Sequence, residues 1–168
     1  MFAKPQNGTC PHYIRDGKVF VTGLAADAKR LDLAKQLGFT TINTQERPAV
    51  EVILEMTSGL GVDVVLDATS GGAVDEAISL LKLVGQLVIT AKVGGPVTFP
   101  GRELLKREVI INTQRAGMPS AFRRAISVLA AEHIDVKPLL THRMKLEDAD
   151  SGFQKLIRRE AMKVVLVV

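Results

Sequence analysis

The sequence predicts an α/β fold built on a parallel sheet, and three observations carry that prediction. Short aliphatic, β-branched runs alternate with longer helical runs along most of the chain. Hydrophobic residues make up 46% of the sequence but aromatics only 4%, with no tryptophan, so the core is Val, Leu, Ile and Ala, as suits strands buried on both faces. Glycines and short polar turns punctuate the runs at the spacing of strand–helix–strand crossovers.

The elements follow in order. Residues 1–17 carry Pro5, Asn7-Gly8, Pro11 and Asp16-Gly17 without apolar periodicity and read as an irregular arm. Lys18–Thr22 reads as a strand. Asp27 can cap a helix to Leu37, with Leu31, Ala34 and Leu37 on one face and Gly38 beyond its end. Thr40–Asn43 is a second short strand, and Ala49–Thr57 a helix with Val50, Ile53 and Leu54 as its apolar stripe. Val62–Asp67 is a buried strand. Gly71-Gly72 opens a helix through Leu83, Gly85 turns the chain, and Gln86–Ala91 and Glu108–Thr113 are further strands. The last third changes character: Ser120–His133 is an amphipathic helix, Leu139–Leu146 is strand-like, Glu147–Glu160 is a helix, and Lys163–Val168 is a very apolar strand. The expected division is an arm (1–17), a sheet domain (18–117) and a helix–strand–helix–strand extension (118–168).

Composition narrows the function. The net charge of +4 is spread among acids rather than gathered into a basic patch, and stacking aromatics are few, which argues against nucleic-acid binding. Cys10 is the sole cysteine, so there is no internal disulfide and no thiolate zinc cluster. No apolar run approaches the length of a membrane span and no secretory core follows Met1, so a cytoplasmic location is expected. Cys10 and His12 are two apart on a loop without a companion pair, and His133 and His142 read as structural.

The ordered segments GLAADAKRLDLAKQLGF, GVDVVLDATSGG, GQLVITAKVGG and REVIINTQRAG resemble the cofactor half of medium-chain, zinc-type alcohol and polyol dehydrogenases, and PLLTHRMKLEDADSGFQKLIRREAMKVVLVV resembles their closing segment. The likeness runs from about Lys18 to Val168. It implies a Rossmann-type sheet entered at its second strand, without the strand and GxGxxG turn that hold the cofactor's pyrophosphate. Gly59-x-Gly61 is no substitute, because it precedes a strand instead of opening a helix.

A Rossmann sheet lacking its central first strand has a gap. The favoured repair pairs the strand at Lys18–Thr22 directly with Val62–Asp67, giving a five-stranded truncated Rossmann sheet, three layers deep, in order 2-1-3-4-5. The alternative repair is a strand supplied in trans by a second chain. The 2-1-3-4-5 order also invites comparison with phosphoacceptor receiver domains, with Asp67 at the third strand's end, but Thr22-Gly23 stands where acids would hold magnesium, and that reading is rejected.

The resemblance assigns candidate cofactor contacts. Gly23 occupies the position of the ribose-gripping acid in NAD-binding relatives, with Lys29 and Arg30 close by as in NADP-binding ones. Asp67, Thr69 and Ser70 lie on the loop expected along the adenosine half, where the following glycines open a helix whose N–H groups can hold an anion. Val93 and Gly94, and then Arg115, end strands near the nicotinamide, and Lys163 resembles a cation that meets the pyrophosphate. No catalytic residue and no zinc ligand set is expected in this chain. NAD or NADP binding is expected to be weak or absent without the glycine turn. Two functions compete: an NAD(P)-binding oxidoreductase module inactive by itself, and a non-enzymatic remnant acting as an oligomeric or interaction module. A homodimer is expected, through the sheet edge near Val109–Asn112 or through the terminal strand, with no nucleic acid or membrane as partner.

Overall fold

The computed structural model describes residues 17–69, 72–90, 94–113, 117–131 and 135–168. The chain divides into two compact units, Met1–Arg115 and Ala116–Val168.

The first unit alternates strand and helix: β1 (Phe20–Gly23), α1 (Ala28–Gln36), β2 (Thr40–Asn43), α2 (Ala49–Met56), β3 (Val62–Asp67), α3 (Val74–Leu80), β4 (Leu81–Ile89), α4 (Gly101–Arg107) and β5 (Ile110–Thr113). Every strand pairing in it is parallel. The strands are short and β-branched, and the helices bury the residues that the 3.6-residue period selects: Leu31 on α1, Ala49 and Ile53 on α2, Ala77 and Ile78 on α3. Phe20, Ile53, Ile78, Leu80, Leu81 and Leu87 are the largest fully buried side chains. They belong to one continuous aliphatic core that includes residues of β1 to β4, α2 and α3.

Local chemistry fixes two joints. Gly61, just before β3, has φ +79°, and a Cβ there would run into the carbonyl oxygen of Leu80. Only glycine fits that turn. Within β4, Val62 pairs with Leu81 while Val64 pairs with Gln86, so Lys82–Gly85 loops out of the ladder. Val84 sits in that loop at φ +56°, a left-handed conformation that β-branched residues adopt at a cost. The turn expected at Gly85 is thus present, but the strand resumes across it. Leu81 therefore belongs to β4 and not to the helix expected through Leu83.

Strand order departs from the expected closure. β1 pairs only with β2, and β3 pairs with β4, which pairs with β5. Among the described residues no pairing joins β1 to β3, so the 2-1-3-4-5 sheet is not made, and Gly23 and Asp67 do not face each other across a closed seam. α2 and α3 pack on each other and enter the same core as strands of both sheets, so the two sheets share a core without an edge pairing between β1 and β3.

The second unit contains α5 (Pro119–Ala130), β6 (His142–Lys145), α6 (Ala149–Ile157) and β7 (Val164–Val167). β6 and β7 form a parallel pair. α6 lies close on them: a Cβ on Gly152 would meet Val164 Cγ1 at 3.1 Å and Met144 Sδ at 3.5 Å. The Thr141 hydroxyl joins the start of both strands, donating to the Lys163 carbonyl at 3.2 Å and accepting from the Met162 amide at 3.0 Å. Among the described residues no helix is long and apolar enough to cross a membrane.

Candidate functional site

In a parallel sheet the loops at the carboxyl ends of the strands converge, and ligands bind in the crevice outside them. In the first unit those loops follow Gly23, Asn43, Asp67 and Ile89. Each is held by side chains. The Gly23 carbonyl accepts from the Thr44 amide at 2.9 Å, and the Gln45 side chain accepts from the Ala25 amide at 2.8 Å, joining the loops after β1 and β2. After β3, Asp67 Oδ1 accepts from the Thr69 amide at 2.7 Å and the Thr69 hydroxyl at 2.6 Å. The Asp67 carbonyl accepts from the Thr90 amide at 2.9 Å, which ties this loop to the end of β4.

Between the β1 and β3 ends lies a cavity of about 60 Å³, lined by Thr22, Ala49, Val65, Leu66, Asp67, Thr69, Ala73, Glu76, Ala77 and Leu80. Among the described residues its polar side chains are two carboxylates and two hydroxyls, with no cation. That set accepts and donates to sugar hydroxyls and repels phosphate. The volume is well below the roughly 300 Å³ at which small-molecule sites usually begin.

The expected residues fall into distinct places. Asp67 and Thr69 line the cavity, and Asp67 is 3% exposed. Gly23 ends β1 beside it, and a Cβ there would make tight contacts, 3.2 Å to Leu31 Cδ2 and 3.3 Å to Asp27 Cβ, so that these neighbours would have to give by a few tenths of an ångström. Arg30 is engaged by Asp27 at 2.7 Å, and Lys29 is exposed on α1. Gly94 is exposed after β4. Lys163 is exposed in the second unit, just before β7. Ser70, Val93 and Arg115 lie outside the described residues.

Sequence reasoning missed Thr22, Glu76 and Gln45. Gln45 follows a strand, and its position alone could have marked it. Thr22 and Glu76 meet in the cavity between the ends of β1 and β3, two strands that do not pair. The helix after the Asp67 loop begins at Val74 with Asp75 and Glu76 in its first turn, so its charge opposes the anion that the glycines suggested.

Zinc finds no seat among the described residues, which contain no group of three His, Cys, Asp or Glu side chains placed to hold a metal.

The profile of the zinc-binding dehydrogenase family matches residues 15–131. The sorbitol dehydrogenase of Halalkalibacterium halodurans is 31% identical over 153 residues, covering 89% of this chain and 45% of that protein. The sorbitol dehydrogenase of Gallus gallus is 34% identical over 158 residues, covering 88% and 42%. Among solved structures, the alcohol dehydrogenase TADH from Thermus sp. ATN1 superposes with a TM-score of 0.83 at 25% identity, over 90% of this chain and 44% of that one. The chain thus spans less than half the length of the relatives it matches. A two-sheet parallel unit with its loops gathered at the strand ends, matched in sequence through β1 to α5, leads to one assignment: the chain belongs to the zinc-binding dehydrogenase family and covers its cofactor-binding part.

Proposed function

We propose that this chain contributes the adenosine side of a nicotinamide-dinucleotide site in an alcohol or polyol oxidoreductase, and that by itself it binds the cofactor weakly and does not turn over substrate. The observation that carries this reading is the convergence of Thr22, Asp67, Thr69 and Glu76 on one cavity at the strand ends. Hydroxyls and carboxylates suit a ribose. The phosphates have no seat among these groups, because the cavity presents two acids and Arg30 is engaged with Asp27. Nothing in the sequence supplies the GxGxxG turn that would offer backbone N–H groups instead. Reaction chemistry and substrate recognition then belong to parts of the relatives that this chain does not match. Family membership supports action in the cytoplasm.

Titration of NADH, NADPH and adenosine, followed by amide chemical shifts and melting temperature, tests the reading. Shifts centred on Thr22 and Asp67–Thr69 that saturate only at millimolar ligand support it. Tight binding, or no response at millimolar ligand, rejects it.

The competing reading, a non-enzymatic oligomeric module, is favoured by exposed apolar strand residues. Ile110 on β5 and Leu166 and Val167 on β7 are all exposed, and the outer edges of these strands are unpaired among the described residues. Homodimer formation through one of these edges is compatible with either reading.

A further inference from the structure

Four large apolar side chains stand exposed where β3 and β4 begin, at the end of the sheet opposite the Asp67 loop. Leu60 is 73% exposed, Leu83 62%, Val84 55% and Met56 40%. Met56 ends α2, and Leu60 lies in the turn from α2 into β3, where its amide donates to the Thr57 carbonyl at 3.1 Å. Gly61 then fits against the Leu80 carbonyl and Val62 pairs with Leu81. Leu60 therefore stands beside the loop Lys82–Gly85 that leaves the β4 ladder, with Leu83 and Val84 at its tip.

The loop is built to hold these side chains out. Gly85 packs so closely that a Cβ there would stand 2.8 Å from the Lys82 carbonyl oxygen, and Arg107 of α4 donates to the Leu81 carbonyl at 2.5 Å. Val84 takes a left-handed backbone, φ +56°, which costs a β-branched residue free energy, while its exposed side chain returns little burial in the single chain. At the base of the loop Lys82 pairs with Asp63 of β3, with side chains 44% and 28% exposed.

We propose that this patch is a contact between two copies of the chain related by a twofold axis. Charge favours a copy as the occupant. A twofold contact sets a surface against itself, so it must be self-complementary. A cation and an anion side by side meet that need, because Lys82 of each copy can face the partner's Asp63 across the axis. An anionic lipid surface would instead need cations without acids beside them. Area sets the strength. The four side chains expose on the order of 400 Å², and two patches with their polar rims bury about 1,000 Å², at the low end for specific contacts. The dimer is therefore weak, with a Kd on the order of tens of micromolar. The tight turn at Gly61 and the braced loop keep the ordering cost low. The contact leaves the crevice at the carboxyl ends of the strands open, and it uses neither the β5 edge nor the β7 edge.

Sedimentation equilibrium of the full chain, from micromolar to sub-millimolar concentration, tests the proposal. The chain carries Ile110→Lys and Leu166→Lys, so that neither strand edge contributes. The expected result is a weak dimer. Adding Leu83→Lys should weaken it about tenfold or more, equivalent to about 1.4 kcal/mol, with circular dichroism unchanged. Val84→Gly should weaken association while raising the urea midpoint of the monomer, a pairing that a role in the monomer alone does not give. Asp63→Lys and Lys82→Glu should each weaken association by setting like charges together. An equimolar mixture of these two variants should restore it to within about threefold, because each then meets complementary charges across the axis. A chain that stays monomeric throughout the range overturns the proposal, as does association that Leu83→Lys leaves unchanged. A mixture no stronger than its components overturns it as well. Binding of the monomer to vesicles of anionic lipid, abolished by Leu83→Lys, overturns it in favour of a membrane surface.

Discussion

Thr69 gives both its backbone amide and its hydroxyl to the same oxygen of Asp67, at 2.7 and 2.6 Å. Asp67 is buried at the end of β3, and this double bond folds the loop back over the strand end and holds both residues at the cavity wall. Removing the hydroxyl with Thr69→Val should lower stability by about 1 kcal/mol, and Asp67→Ala by about 2–3 kcal/mol, because the second change removes a charged acceptor from several donors at once. Urea denaturation with an unchanged m-value is the check. Equal losses would mean that Asp67 serves only Thr69.

Gly61 and Gly38 separate two costs that glycine relieves. Both have positive φ, +79° and +87°, but only Gly61 would drive a Cβ into a backbone carbonyl, that of Leu80. Gly38→Ala should cost about 1 kcal/mol, the conformational term alone. Gly61→Ala should cost about 3 kcal/mol or more, since the start of β3 must shift.

Val84 offers a gain. It is exposed, β-branched and left-handed in the loop within β4. Val84→Gly removes the strain while giving up little burial, and should stabilise the chain by about 0.5–1 kcal/mol, read from the urea midpoint. Destabilisation would show that the Val84 side chain packs in a way its exposure does not suggest.

Much of the fold was legible in the sequence, because strand and helix periods differ and each apolar stripe found a core. Thr40–Asn43 and Val62–Asp67 were placed to the residue, and Ala49–Thr57 to within one. The joint at Leu81 was not legible: residues 77–83, Ala, Ile and Leu interrupted by Ser79 and Lys82, suit either a helix or a strand, and in the fold the helix gives way to β4 at Leu81, beside the tight approach of Gly61 to the Leu80 carbonyl. The lack of pairing between β1 and β3 was not legible either. Edge pairing favours closure locally, whereas in the fold the two sheets meet through the shared core that α2 and α3 enter. The site divides the same way. Asp67 and Thr69 follow from their place after a strand, whereas Thr22 and Glu76 come together only in the fold. Gly23 was read as a cofactor contact, and in the fold a Cβ there would also crowd Leu31, at 3.2 Å.

Glu76 sets the charge of the cavity wall, with Asp67. Glu76→Gln removes one like charge and should tighten ADP binding about twofold to fivefold while changing adenosine binding little, an electrostatic effect that falls as salt is raised. Isothermal titration at two salt concentrations measures it. An equal change for both ligands would assign Glu76 a role in shaping the cavity instead.

Ile110 stands exposed on the outer edge strand of the three-stranded sheet. A charge on such an edge opposes strand-to-strand association. Ile110→Lys should shift a β5-mediated dimer to monomer in light scattering, and Leu166→Lys should do so for a dimer built on β7. A chain that is monomeric without either change contradicts the expected association.

Hydrogen exchange of the free chain, read amide by amide along β1 and β3, tests the unpaired edges of these strands most directly. Successive residues of a parallel strand direct their N–H groups to opposite sides. The arrangement predicts alternation: Val21, Gly23, Val65 and Asp67, which address β2 and β4, exchange slowly, while Phe20, Thr22, Val64 and Leu66 exchange faster. Uniformly slow exchange along both strands would contradict it and would mean that β1 and β3 are joined.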